Sequence, residues 1–475
     1  MTLRIPTRLE TLAFVAGFTL MTYELAAARV LAPTVGSSTY VWTSVIGVII
    51  AALSLGFYAG GRVADVRNRA RDVMWLLLIV AALIAYTTLA YPYILPWLAG
   101  IPLDVRVQAV MAAFLLFAPT SFVLGMVSPY LAKLNVKSLK TAGSAVANLS
   151  MWDAIGGIVG TFLTGFVLFG YMGSRAIFTL LVVLMLVSTV LVLERWTVRQ
   201  GIIAIFALVI ALVAPTRADA IHIDTPSNHY TVFEWQSNGI DLRGLAMGPG
   251  GVQSGVALHD PYTPVFWYTI ELANLIDHTE KKDNILMLGG GTFTLPQQIA
   301  MRYPESQIDV VEIDPMLVDV AREHFFYNDP ENVQLIFEDA RTYSNQTDKD
   351  YDIVVVDVYG NTDIPFTFMT KEYGESVRDI TKPGGVVMVN MIAGEKGQCE
   401  DLLATLEAPY RAQFDERFMK GNVASGGSDR PHNIIGVYGD NLTSYDGYID
   451  LAITKQQPYT DDFAPAERMR QGCET

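Results

Sequence analysis

The chain has 475 residues, 51% of them hydrophobic, and a formal net charge of −15, a length that suits two or three domains. Neither figure describes both halves: residues 1–217 carry 15 Lys+Arg against 7 Asp+Glu, and residues 218–475 carry 18 against 41. A basic apolar half joined to an acidic half predicts a membrane domain followed by a water-soluble one. The acidic half argues against a nucleic-acid partner and suits a cationic small molecule such as a polyamine, although a solvated acidic surface explains its charge equally well.

In chain order, seven apolar stretches stand near residues 10–32, 40–60, 73–98, 107–128, 143–170, 175–194 and 200–215. A span needs about 20 apolar residues. The first six qualify, and the seventh is short before Pro215, so residues 1–217 read as six to seven transmembrane helices. Further spans follow the first too closely for it to be a cleaved signal peptide. Glu24, Arg29 and Asp153 lie in or near spans, paired there or facing a cavity. Gly156, Gly157, Gly160 and Gly165 favour close helix contact in the fifth. Arg4, Arg8, Arg62, Arg67, Arg69, Arg71, Lys133, Lys137, Lys140, Arg195 and Arg199 all fall on one side. The expectation is a multi-pass protein of the plasma (inner) membrane, its partner the lipid bilayer, with a cytoplasmic N-terminus. If the seventh stretch crosses, the soluble half lies outside. If it packs on the bundle, that half is cytoplasmic.

Residues 218–260 alternate and break at glycines, which predicts a small antiparallel β-sheet. Residues 261–475 then read as an α/β Rossmann-like domain, with a helix over 260–276 that carries Tyr268. Asn284–Asp314 is its centre. Ile285–Leu288 suits a strand buried on both faces. Gly289, Gly290 and Gly291 turn the chain sharply and let a ligand approach the backbone. A helix opens near Thr292, and Ile308–Val311 ends at Glu312, an acid placed to take both ribose hydroxyls of a nucleoside. A helix over 315–325 and a strand over 333–337 follow, and Asp339 stands where it can accept from an adenine amino group. Ile353–Val356 is the strongest buried-strand signal, and Asp357 at its carboxyl end is the best general-base candidate. Strands over 386–390 and 432–438 complete the pattern. Two cysteines, Cys399 and Cys473, make no disulfide framework, though an oxidising compartment leaves one bridge open to them. Six histidines without ligand spacing predict no metal.

Taken together, GGVQSGV at 250–256, LMLGGGT at 286–292, VVEIDP at 310–315, EDAR at 338–341 and YDIVVVDVYGNTDIP at 351–365 resemble the spermidine synthase family of aminopropyltransferases. The apolar half, with YELAAARVLAPTVGSSTYVW at 23–42 and GMVSPYLAKL at 125–134, is similar to the family's bacterial membrane-fused branch. The resemblance implies a class I methyltransferase-type fold that binds decarboxylated S-adenosylmethionine, or S-adenosylmethionine itself. It implies transfer of an aminopropyl group to a diamine or polyamine, such as putrescine to spermidine, by a protein that is commonly a homo-oligomer. By position it makes Asp357 the base, Glu312 the ribose ligand, Asp339 the adenine ligand and Gly289–Gly291 the cradle of the nucleoside tail. Gln253, Tyr268 and Asp363 fall on the substrate side. The chain departs from the pattern at Thr292, where the family has an acid that helps grip the aminopropyl ammonium. Thr269 replaces a His or Gln, and the compact acidic signature is stretched to Asp357…Asp363-Ile-Pro365. Thr292 motivates a second reading, another S-adenosylmethionine-dependent transferase. A third is a binding or transport protein without turnover, with Glu24, Arg29 and Asp153 lining a path.

Overall fold

A computed structural model of the chain describes residues 6–473, apart from 37–38, 68, 102, 193–196, 214–219, 226, 248–250, 360–363, 423–427, 443–444, 446, 451–452, 454–455, 466–468 and 471–472. Asp363, Arg4, Arg195 and part of the glycine-rich stretch at 248–251 lie outside the described residues. The chain divides into two units, Met1–Tyr230 and Thr231–Thr475.

The first unit is helical: α1 (Arg8–Val35), α2 (Thr39–Val66), α3 (Ala70–Ala99), α4 (Val105–Leu116), α5 (Ala118–Asn135), α6 (Ala142–Leu163), α7 (Phe169–Tyr171), α8 (Ser174–Ser188) and α9 (Val198–Val213). Five helical stretches are long and apolar enough to cross a membrane, and α4 with α5 makes a sixth that is bent by 53°. The bend falls at Phe117 between the two helices, and Pro119 in the first turn of α5 has no N–H to donate back across it. α1 opens on a capping box, in which Thr7 N–H donates to Glu10 Oε2 (2.6 Å) and Glu10 N–H donates to Thr7 Oγ1 (3.4 Å). Glycines then set how closely helices approach. A Cβ on Gly156 would fall 1.9 Å from the Phe14 carbonyl oxygen of α1, and one on Gly17 would fall 2.0 Å from that of Asp153. Gly56 stands in the same relation to Phe122 across α2 and α5, at 2.1 Å. Only a residue without a side chain permits such contact. Gly165, grouped with the others from sequence, has open space around it.

Arg29, near the end of α1, reaches residues far along the chain. Its Nη2 donates to the Thr225 carbonyl (2.6 Å), its Nη1 to the Phe169 carbonyl (3.3 Å), and its Nε stands 3.5 Å from Asp224 Oδ1. Asp224 also takes His229 Nδ1 at 2.6 Å. Burial works to raise the Asp224 pKa, but the His229 hydrogen bond and the Arg29 charge outweigh it and hold the group below the usual carboxylate value.

Strands β1 (Ile221–Asp224), β2 (His229–Ser237), β3 (Ile240–Ala246) and β4 (Val252–Ala257) form a sheet in chain order, and the division between units falls inside β2. β2 and β3 join through Asn238-Gly239, both at positive φ, the two-residue turn whose twist matches a hairpin. After it come α10 (Trp267–His278), β5 (Asn284–Leu288), α11 (Thr294–Arg302), β6 (Gln307–Glu312), α12 (Leu317–His324), β7 (Val333–Phe337) and α13 (Ala340–Gln346). β8 (Tyr351–Val356), α14 (Lys371–Asp379), β9 (Thr381–Ala393), α15 (Gln398–Arg411), β10 (Glu416–Gly421) and β11 (His432–Gly439) close the domain. These strands make one seven-stranded sheet in the order β10-β11-β9-β8-β5-β6-β7, parallel from β9 to β7 with β11 and β10 antiparallel at one edge.

The helix expected over 260–276 begins only at Trp267, because Pro261 and Pro264 hold the residues before them extended. The strand expected over 386–390 runs the full length of β9. Ile353, Val354, Val355 and Val356 are all buried, each adding about 1.5–3 kcal/mol by its removal from water. Cys399 and Cys473 are bonded across 74 residues and both are buried.

Candidate active site

Strand register builds the site. Leu288 of β5 pairs with Val311 of β6 on one side and with Val356 of β8 on the other. The next residues, Gly289, Glu312 and Asp357, therefore stand abreast at the carboxyl edge of the sheet. Strand order reverses between β5 and β8, and a crevice outside such a point is where doubly wound folds hold ligands. The backbone closes the edge: Gly289 N–H donates to the Val311 carbonyl and Asp357 N–H to the Leu288 carbonyl, both at 2.9 Å. A Cβ on Gly289 (φ 100°) would fall 2.2 Å from the Asp357 carbonyl oxygen, so only glycine fits.

Beyond Gly291 the chain reaches α11 through Phe293, a buried residue at φ 56°. The helix starts at Thr294, two residues later than the sequence indicates, because Phe293 is its left-handed N-cap. A non-glycine residue held there stores backbone strain beside a ligand crevice.

Glu312 turns back onto the glycine turn. Its Oε2 accepts from Gly290 N–H (2.9 Å) and its Oε1 from Asp314 N–H (3.0 Å). Burial raises its pKa, and the two N–H donors offset part of that rise. Each carboxylate oxygen keeps a lone pair for a further donor. Asp339 is the N-cap of α13: its Oδ1 accepts from Thr342 N–H (2.9 Å) and from the Thr342 hydroxyl (3.2 Å).

Asp357 is the most perturbed carboxyl at this edge. Burial pushes its pKa up to about 6, against a hydrogen bond from Asn390 Nδ2 to Oδ1 (2.9 Å) that favours the charged form. Asn390 is itself fixed, since its Oδ1 accepts from Asn433 Nδ2 at 3.0 Å and its carbonyl accepts from the Tyr359 hydroxyl at 2.9 Å. Tyr268 and Tyr359 are held well above the usual phenol pKa, by burial first and then by the negative charge of Asp357. Both therefore stay protonated beside it. The Tyr268 hydroxyl is spent on the Gln253 carbonyl (2.7 Å), which fixes β4 to α10.

Thr292 lies inside the turn and is only 1% exposed. Its hydroxyl stands 2.6 Å from Ser254 Oγ and 2.5 Å from Thr294 Oγ1, a group of neutral hydroxyls that Ser254 extends to Tyr268. Among the described residues no group of three or more His, Cys, Asp or Glu is placed to hold a metal.

The structure thus brings together Gly289, Gly290, Gly291, Glu312, Asp357, Gln253 and Tyr268. Sequence reading missed Asn390, Tyr359 and Ser254. Asn390 could have been found, because it lies in the apolar strand that follows Asp357, near its carboxyl end. Replacing Asn390 by Leu is expected to move the acidic limb of any reaction that uses Asp357 upward by about 1–2 pH units, because a charge-assisted hydrogen bond is lost. The pH profile of kcat/KM checks this, with nucleoside affinity unchanged and Asn390→Gln restoring part of the profile. A residue that merely supported the fold would leave the limb in place.

Fold and site together define a Rossmann-like domain with an acidic carboxyl edge. Residues 265–400 match the family described as Spermine/spermidine synthase domain. A probable polyamine aminopropyl transferase of Bifidobacterium longum is 32% identical over 148 residues, 31% of this chain and 32% of that protein. The human eEF1A lysine and N-terminal methyltransferase is 27% identical over 151 residues, 29% of this chain and 22% of that protein. The chain therefore spans about a third or less of the length of these curated relatives. A probable spermidine synthase from Corynebacterium glutamicum superposes over 52% of this chain and 98% of its own, at 21% identity and a TM-score of 0.43.

Proposed function

We propose that this chain is a membrane-anchored aminopropyltransferase that joins an aminopropyl group from decarboxylated S-adenosylmethionine to a small cationic amine such as putrescine. The observation that carries the reading is Asp357, a carboxyl with its pKa raised to about 6, one strand from the glycine turn. A protonated amine has no lone pair to attack with. Asp357 takes its proton, the freed nitrogen bonds to the carbon beside the sulfonium, and the carbon–sulfur bond breaks with its electron pair leaving on the thioether. Raising a carboxylate toward neutrality makes it a better base at working pH. Glu312 binds the ribose hydroxyls, Asp339 reaches the adenine with its free oxygen, and Gln253 and Tyr268 border the amine. The sulfonium is already activated, so holding the partners in line supplies much of the rate. Helices α1 to α9 anchor the protein in the plasma membrane with its N-terminus in the cytoplasm, as the basic residues between α2 and α3 and between α5 and α6 support.

The hydroxyls of Thr292, Ser254 and Thr294 favour a second reading. They offer no carboxylate to an ammonium at the donor tail, which suits another S-adenosylmethionine-dependent transferase. Calorimetric titration of the detergent-purified chain separates the two. Tighter binding of decarboxylated than of intact S-adenosylmethionine, with methylthioadenosine also bound, is the result expected. Preference for the intact donor would replace the first reading by the second, and silence with all three ligands would overturn both.

A further inference from the structure

The helical unit's own contacts define two opposite faces. At one, Lys133 at the end of α5 pairs with Asp65 at the end of α2 (2.7 Å), and the Tyr130 hydroxyl donates to Asp72 in the first turn of α3 (2.8 Å). Arg67 and Arg69, between α2 and α3, and Lys137 and Lys140, between α5 and α6, belong to this face. At the other, Arg29 in the last two turns of α1 holds the carbonyls of Phe169 and Thr225 and pairs with Asp224. Asp224 Oδ2 also accepts from the N–H of Ser174, the first residue of α8, at 3.2 Å.

α9 runs from the basic face to the other one. Ala204 in its first half packs against Met74 and Leu78, near the start of α3. In its last turn the carbonyl of Ala211 accepts from the Thr179 hydroxyl (3.1 Å) and that of Leu212 from Arg175 Nη2 (2.8 Å), both in the first turns of α8. α9 is thus antiparallel to α8 through the same depth. Its 16 residues span about 24 Å, somewhat less than a hydrocarbon core of about 30 Å, a mismatch that terminal arginines and local thinning absorb. Asp224 and Thr225, which follow α9, lie among residues of the far face. Basic loops stay in the cytoplasm, so the far face is the non-cytoplasmic one. The Cys399–Cys473 bond is an independent pointer to the same side, because disulfides persist in oxidising compartments and are rare in the cytosol.

We propose that α9 crosses the membrane and that residues 221–475 work in the oxidising, non-cytoplasmic compartment with Cys399 and Cys473 bonded. The candidate site then draws on a substrate pool outside the cytoplasm. A sulfonium nucleoside carries a fixed charge that bilayers reject, so a membrane transport step must deliver it to this side. The inference rests on the membrane-anchored reading and not on the transfer chemistry: titration of purified protein is blind to sidedness, so the two fail separately.

The test uses the full chain with an epitope tag at each end, expressed in a bacterial host and converted to spheroplasts. Protease added outside is expected to remove the C-terminal tag and to spare the N-terminal tag until lysis. A C-terminal tag protected in sealed spheroplasts would overturn the proposal. On acid-trapped cells, maleimide-polyethylene glycol is expected to shift the protein by two additions only after reduction. Two additions before reduction would overturn it as well.

Discussion

Asp357→Asn is expected to lower aminopropyl transfer by roughly 10²- to 10⁴-fold while leaving nucleoside affinity unchanged, since it removes the proton acceptor and keeps the shape. In the wild-type protein kcat/KM should rise with pH through about 6, because only the ionised carboxylate can take the proton. The same shift makes a stability prediction of opposite sense. The folded state holds the Asp357 proton up to about 6, whereas an unperturbed carboxyl releases it near 3.8. The folded state is therefore favoured below the lower value and loses that advantage as pH rises between the two. Above about 6 the partly buried charge costs up to about 3 kcal/mol, at about 1.4 kcal/mol for each pH unit. The Asn variant escapes this cost, so it should melt higher than wild type at about pH 8 and no higher at about pH 4. Calorimetric scans at the two pH values, run beside a turnover assay, check both arms. Retained turnover would remove Asp357 from the role of base.

Which parts of this arrangement could be read beforehand follows from the range of the interactions that make them. β5, β6 and β8 were legible because a strand buried on both faces must be apolar throughout, and Ile285–Leu288 and Ile353–Val356 are. Gly289 was legible because a turn at φ 100° admits nothing else. The acids at the strand ends followed from those strands, since register carries Glu312 and Asp357 to one edge. The Asn433–Asn390–Asp357 relay was hidden because its members lie 33 and 43 residues apart and meet only through sheet pairing. The pairing of Arg29 with Asp224 was hidden for the same reason, because the two lie 195 residues apart. Thr292 announced a missing carboxylate, but that it is buried among hydroxyls depends on Ser254 of a separate sheet. The direction in which α9 runs rests on contacts with α8 and α3 that its short apolar run does not encode.

Glu312→Gln is the second large effect expected, and it falls on affinity, not on the chemical step. The carboxylate satisfies the N–H groups of Gly290 and Asp314 with one oxygen each. A Gln amide supplies one acceptor, so one N–H faces an NH₂ group and is left unsatisfied, at a cost of about 1–3 kcal/mol. The ribose hydroxyls then meet a neutral acceptor, with about half the hydrogen-bond strength of a charged one. The orphaned N–H is present with and without ligand and so lowers stability, whereas the weaker ribose bonds should cost about 1–3 kcal/mol of binding, or roughly 10- to 100-fold in nucleoside dissociation constant. Calorimetric titration with methylthioadenosine measures this without any requirement for turnover. Because burial raises the Glu312 pKa, wild-type affinity should also weaken on acidification before an ordinary Glu would protonate, and the Gln variant should lack that limb. Asp339→Asn is the control. Asn caps a helix about as well as Asp, so α13 is kept and only the free oxygen of Asp339 changes character. If Glu312→Gln bound the nucleoside as tightly as wild type, the carboxylate would be holding the glycine turn alone, and the ribose would have to lie elsewhere along the sheet edge.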